Sequence, residues 1–223
     1  YNYKAFSKTR LAWGSGLSQS ASLSFDLHNN NENIEGIKMF IRLECPSGGC
    51  DPWDRFANIL VKNSSTNQWY EMARHITPYG VGNSQLTRGL EVDVTDFKSL
   101  LSGNVELKIY AETWVASGWV ISLEFDYLAG NPDYKYYQIT PVIQFNRNSL
   151  SGVPYGGENG NTQLDKEKFD LTKTISVGSN IKSAHFRTII SGWGHATPAD
   201  SDGRACAESV SYTHLTLPTT VRV

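Results

Sequence analysis

Residues 45–55 read C-P-S-G-G-C-D-P-W-D-R and concentrate side chains that could act on a substrate. Cys45 and Cys50 bracket four turn-forming residues, a loop short enough for a disulfide to close in an oxidising compartment. A zinc site would need two further ligands at suitable spacing, and none lies nearby in the sequence. Directly after the loop come two carboxylates, Asp51 and Asp54, with the flat ring of Trp53 and the guanidinium of Arg55. A braced loop would hold those carboxylates in place for acid–base work, and Trp53 would offer a face to a sugar or a peptide. The plainer alternative is a solvated acidic turn with a structural tryptophan.

Two further stretches carry candidate chemistry. Residues 104–114 alternate so that Val105, Leu107, Ile109, Ala111 and Thr113 share one strand face, while Glu106, Lys108, Tyr110, Glu112 and Trp114 share the other. Glu112 thus sits among aromatics, which could raise its pKa or build a ledge for a carbohydrate; a solvated strand face is the alternative. Residues 191–208 contain S-G-W-G-H-A and R-A-C-A-E, with Trp193 and His195 in a glycine-flanked loop and Glu208 at the end. Such loops let aromatic and polar groups converge on a ligand, although a lone histidine is more often structural. No Ser-His-Asp or Cys-His arrangement, H-E-x-x-H or phosphate loop is present, and five scattered histidines make no metal site.

The elements that must position these residues are strands. Residues 35–42 place Ile37, Met39 and Ile41 on one face, residues 56–62 form an apolar run, and residues 120–127 and 184–190 alternate. A short helix is predicted over residues 97–102, capped by Thr95 or Asp96 and stopped by Gly103. Gly/Asn/Pro turns between many strands predict an all-β antiparallel sandwich of jelly-roll type. The chain has 223 residues, 39% hydrophobic and 19% charged, enough to fill a core. Its net charge of −2 lacks the basic field that nucleic acid or an anionic membrane would need, and no run of 18 apolar residues is present. The opening at Tyr1 without a Met reads as a mature protein or a fragment. Asn131, Pro132 and Asp133 look like a join between domains, and residues 156–162 like a surface loop. Cys206 is left over from the Cys45–Cys50 pair.

Longer runs are similar to the peptide-N-glycosidase F family of bacterial N-glycan amidases. They include I-K-M-F-I-R-L-E-C-P-S-G-G-C-D-P-W-D-R-F-A-N, R-G-L-E-V-D-V-T-D-F-K-S-L-L-S-G-N, L-K-I-Y-A-E-T-W, N-P-D-Y-K-Y, G-V-P-Y-G and I-S-G-W-G-H-A, in order from about residue 4 to residue 208. The resemblance implies two jelly rolls side by side with the active site in the cleft between them. The first would run over residues 1–131, a linker over 132–140, and part of the second over 141–208. It also implies hydrolysis of the amide between GlcNAc and asparagine in N-linked glycoproteins, giving aspartate and a glycosylamine that loses ammonia. No metal or organic cofactor is implied. By position, Asp54 matches the principal catalytic aspartate, and Glu112 and Glu208 match its assisting glutamates. Arg55 matches an arginine that orients the site, Trp114, Trp193 and His195 match residues lining the glycan cleft, and Asp51 matches an acid with a weaker role; Trp53, by its flat face, is expected with them among the substrate-binding residues. A secreted or periplasmic monomer is expected, with no nucleic-acid or membrane partner.

The sequence departs from the family after Glu208. Val210 stands where the family has a second cysteine, and residues 209–223 are similar to a translated sequencing-adapter read. The alternative is a divergent terminal strand, which alternating Thr and Leu could form. On the first reading the second jelly roll is truncated and the chain inactive. A rival function is a carbohydrate-binding module, since jelly rolls with aromatic loops bind glycans without cutting them; three candidate acids argue for hydrolysis. A copper monooxygenase would require clustered His and Met ligands, which the sequence lacks.

Overall fold

The computed structural model of the chain describes residues 1–142, 174–192 and 209–216. Two compact units emerge, Tyr1–Ile139 and Thr140–Val223. The first is built from β1 (Asn2–Lys4), β2 (Thr9–Leu11), β3 (Ser20–Asp26), β4 (Ile34–Glu44), β5 (Phe56–Asn63), β6 (Gln68–Ile76), β7 (Leu90–Asp93), β8 (Asn104–Ala111) and β9 (Trp119–Ala129). One sheet runs β1-β9-β4-β7, with β2 also on β9, and the other runs β3-β8-β5-β6. β1 and β2 pair with β9, β3 with β8, β4 with β7 and β5 with β6. The first strands meet the last and the middle strands meet each other, so the chain is one long hairpin rolled into two sheets, a jelly roll.

Period-two patterning fills the space between the sheets. Ile37, Met39 and Ile41 of β4, Ile121, Leu123, Phe125 and Tyr127 of β9, and Val105, Leu107, Ile109 and Ala111 of β8 are all buried. Each large apolar side chain withdrawn from water contributes about 1.5–3 kcal/mol before the entropy of ordering it is counted. The short helix predicted over residues 97–102 is instead a single 3-10 turn, Thr95–Phe97. The Thr95 hydroxyl accepts the Ile37 N–H and caps nothing, while the Thr95 N–H is taken by Asp93 Oδ1. Lys98, one residue past the turn, buries its ammonium on the Ile34 carbonyl. Tertiary contacts claim the groups that a helix start would have used.

Residues 132–139, expected as linker, stay with the first unit, and Ile139 packs against its core. In the second unit, β10 (His185–Gly192) pairs antiparallel with β11 (Ser209–Thr216), from His185 opposite Thr216 to Gly192 opposite Ser209. β10 is the strand expected over residues 184–190. β11 lies within residues 209–223. The expected loop over 156–162 lies outside the described residues, as does Cys206.

Candidate active site

One end of the first sandwich gathers four loops, formed by residues 12–19, 45–55, 77–83 and 112–118. Cys45 and Cys50 are disulfide-bonded and close the second of these. From Cys50 the chain turns inward, and Asp51 is fully buried. Its N–H donates to the Gly118 carbonyl, and its own carbonyl accepts the Gly80 N–H, so Asp51 joins three loops. Its side chain is equally committed. Oδ1 accepts the Trp53 N–H, and Oδ2 accepts both the Thr113 hydroxyl at 2.6 Å and Arg55 Nε at 3.0 Å. Burial pushes this carboxyl up, but the bonds from Thr113, the Trp53 N–H and Arg55 outweigh it and hold the group below the ordinary aspartate range.

Asp51 is sealed from solvent, with hydrogen bonds on both of its carboxylate oxygens. It acts as the internal anchor that turns Arg55 and the Trp53 peptide. Arg55 remains partly open, with 18% of its side chain exposed, and its N–H donates to the Thr77 hydroxyl. Trp53 is largely exposed.

Asp54 is treated differently from its neighbour. The residue is buried, yet among the described residues Oδ2 has no hydrogen-bond partner. A buried carboxylate oxygen with nothing to accept is costly, and such a group is held only where the surrounding structure over-determines it. Phe56, two residues on, accepts the Glu112 N–H at 2.8 Å, so the loop after β8 is fixed beside the start of β5. Glu112 is also buried, and its Oε1 accepts the indole N–H of Trp114 at 3.1 Å. Trp114 is half exposed. One end of the sandwich therefore brings together a sealed carboxylate, two further buried carboxylates, a guanidinium and open indole rings.

Several contributors escaped the sequence reading. Thr113 ends the apolar face of β8 as a lone hydroxyl, and that position was its one signal. Thr77 binds Arg55 from the strand end opposite β5. His75 is buried on β6 opposite Ala57, with neither ring nitrogen hydrogen-bonded among the described residues, and burial pushes its imidazole down to about 4. Trp13, half exposed, meets Trp114 edge-to-face at 5.0 Å between ring centroids. Trp193, His195 and Glu208 lie outside the described residues.

A family model described as peptide-N-glycosidase F, N terminal, matches residues 56–127, which carry Glu112, Trp114 and strands β5 to β8 with most of β9. Peptide-N(4)-(N-acetyl-beta-D-glucosaminyl)asparagine amidase F of Elizabethkingia miricola is 52% identical over 213 residues, covering 96% of this chain and 58% of that protein. The solved structure of PNGase F, a glycosylasparaginase from Flavobacterium meningosepticum, is similar with a TM-score of 0.79 at 46% identity, covering 97% of this chain and 71% of that one. Recombinant peptide:N-glycanase F matches at a TM-score of 0.79 and 46% identity, over 97% of this chain and 70% of that one. The chain thus spans somewhat more than half the length of the curated relative.

Proposed function

The chain belongs to the peptide-N-glycosidase F family, and on that premise we propose that its acidic site hydrolyses the amide joining N-acetylglucosamine to asparagine in N-linked glycoproteins. The observation that carries this reading is the uncommitted, buried Oδ2 of Asp54 beside an Asp51 whose oxygens are all in use. An amide is a weak electrophile, so the attacking water must lose a proton as it adds to the carbonyl carbon. Asp54 takes that proton. The carbonyl oxygen gains the electron pair, and the tetrahedral intermediate collapses with cleavage of the C–N bond. The proton held by Asp54 passes to the departing nitrogen, leaving aspartate on the peptide and a glycosylamine that loses ammonia.

The carboxylates differ in their partners, which lets them divide the work. Asp51 stays ionised and orients Arg55, which faces the developing charge. Glu112, held by the Trp114 indole, accepts hydroxyl or amide protons of the sugar, and Trp53 and Trp114 stack on its ring. The reading places the protein in an oxidising compartment, secreted or periplasmic, which the Cys45–Cys50 bridge supports.

Mass spectrometry of an N-linked glycopeptide tests the reading, by the appearance of a peptide carrying Asp in place of Asn. The chain is assayed as it stands, and also with residues 209–223 replaced by a family C-terminus. Release is expected from the second form, and Asp54→Asn should lower it by about 10²–10⁴ with the fold retained. Activity within a few-fold of the parent would remove Asp54 from the mechanism. Saccharide binding without release from either form would point to a binding module instead.

A further inference from the structure

The loop that carries Glu112 is clamped by a segment near the N-terminus. The Trp13 N–H donates to the Val115 carbonyl at 3.0 Å, and the Arg10 guanidinium donates to the Ala116 carbonyl. The Gln19 amide donates to the Thr113 carbonyl, while the Gln19 carbonyl accepts the Ala111 N–H. Residues 10–19 thus grip the chain on both sides of Glu112. The Trp13 ring adds the last contact, its plane 64° from that of Trp114 with centroids 5.0 Å apart. Trp114 passes the constraint on through its 3.1 Å bond to Glu112 Oε1.

Both rings remain about half open, with Trp13 49% and Trp114 50% exposed. Two indoles meeting at a steep angle, with a carboxylate bonded to one of them, form a corner. A ligand that fits there has a flat C–H face to lie on an indole and hydroxyl or amide protons for the carboxylate, which describes an N-acetylated pyranose.

We propose that Trp13 is a positioning residue for saccharide binding: its ring fixes the orientation of Trp114, and through it the Glu112 carboxylate. The proposal rests on the reading of Glu112 and Trp114 given above. An edge-to-face pair is rigid because the positive ring edge sits on the negative ring face. Without Trp13, Trp114 gains rotamers, and its hydrogen bond to Glu112 is made only part of the time.

The test is titration of the 223-residue chain with N,N′-diacetylchitobiose, followed by calorimetry, together with ¹⁵N spectra of the indole N–H groups. Trp13→Ala should weaken binding roughly three- to tenfold, the range of one aromatic pair, and Trp13→Phe should restore most of it. Trp114→Ala should weaken binding at least as much. In the Trp114→Ala background, adding Trp13→Ala should change the affinity by less than about twofold, because coupled residues are not additive. The Trp114 indole N–H signal should move in Trp13→Ala without ligand and stay near its place in Trp13→Phe. Additive losses, an unmoved indole signal, or no binding by the parent chain would each overturn the proposal. Absent glycopeptide hydrolysis by the form carrying a family C-terminus, alongside this binding pattern, would count against the amidase reading and leave the role of Trp13 standing.

Discussion

Replacing His75 with leucine should make the protein less sensitive to acid. His75 lies on β6 opposite Ala57, which in turn lies opposite Ala111 of β8. Directly opposed residues share a sheet face, so the imidazole points with those buried alanines into the sandwich. Neither ring nitrogen has a hydrogen-bond partner among the described residues, and burial pushes the group from 6.5 down to about 4. Between those values the unfolded chain binds a proton that the folded chain refuses, so acid favours unfolding. The contribution is fully present above about pH 6.5 and is lost progressively as the pH falls towards 4. Going from about pH 7.5 to about pH 5, linkage puts the loss near 2 kcal/mol, rising to about 3 kcal/mol once the pH is below both values. His75→Leu removes that slope. Since the imidazole is bonded to nothing, the variant should be at least as stable as the parent at about pH 7.5. Urea unfolding followed by tryptophan emission gives the measurement, because Trp13, Trp53, Trp69, Trp114 and Trp119 all belong to the first unit. Parallel pH profiles for parent and variant would refute the reasoning, as would a loss of several kcal/mol from His75→Leu at neutral pH.

Two substitutions probe the shell around the acids. Thr113→Val deletes the hydroxyl bonded to Asp51 Oδ2 at 2.6 Å. A bond to a buried charge is worth about 1.5–3 kcal/mol, so thermal unfolding should come earlier and the Asp51 carboxyl should titrate higher in an NMR pH series. No change in either would show that Arg55 and the Trp53 N–H hold Asp51 unaided. Gly118→Ala puts a Cβ 2.0 Å from the Leu11 carbonyl oxygen at a residue with φ +60. The left-handed backbone alone costs about 1–3 kcal/mol, and the clash must also push the 112–118 loop off Leu11 and Ala12. Loss of the Trp114 indole N–H signal, together with a lower melting temperature, is the expected result; a parent-like spectrum and stability would contradict it.

Alternation along the chain was enough to mark β4, β8 and β9 and to say which residues of each face the core, because period two is a local property of extended backbone, while β5 showed only as an apolar run. The disulfide was legible for the same reason, since four turn residues between two cysteines leave the chain little choice. Asp54 and Glu112 stood out by residue type and by resemblance to a family. What the sequence left open were matters of who meets whom. The nested strand order, the capture of Thr95 by Ile37, and the meeting of Thr113 with Asp51 across 62 positions depend on long-range closure. Spacing does not encode such contacts. Asp51 and Asp54 are three residues apart and look alike in the sequence, yet one is sealed and satisfied while the other keeps an oxygen uncommitted. Trp13 follows no periodic pattern and joins the site only because rolling β2 against β9 lays residues 10–19 along the 112–118 loop. Secondary structure is set by the residues next door, whereas the site is set by packing that brings distant loops to one end of a sandwich.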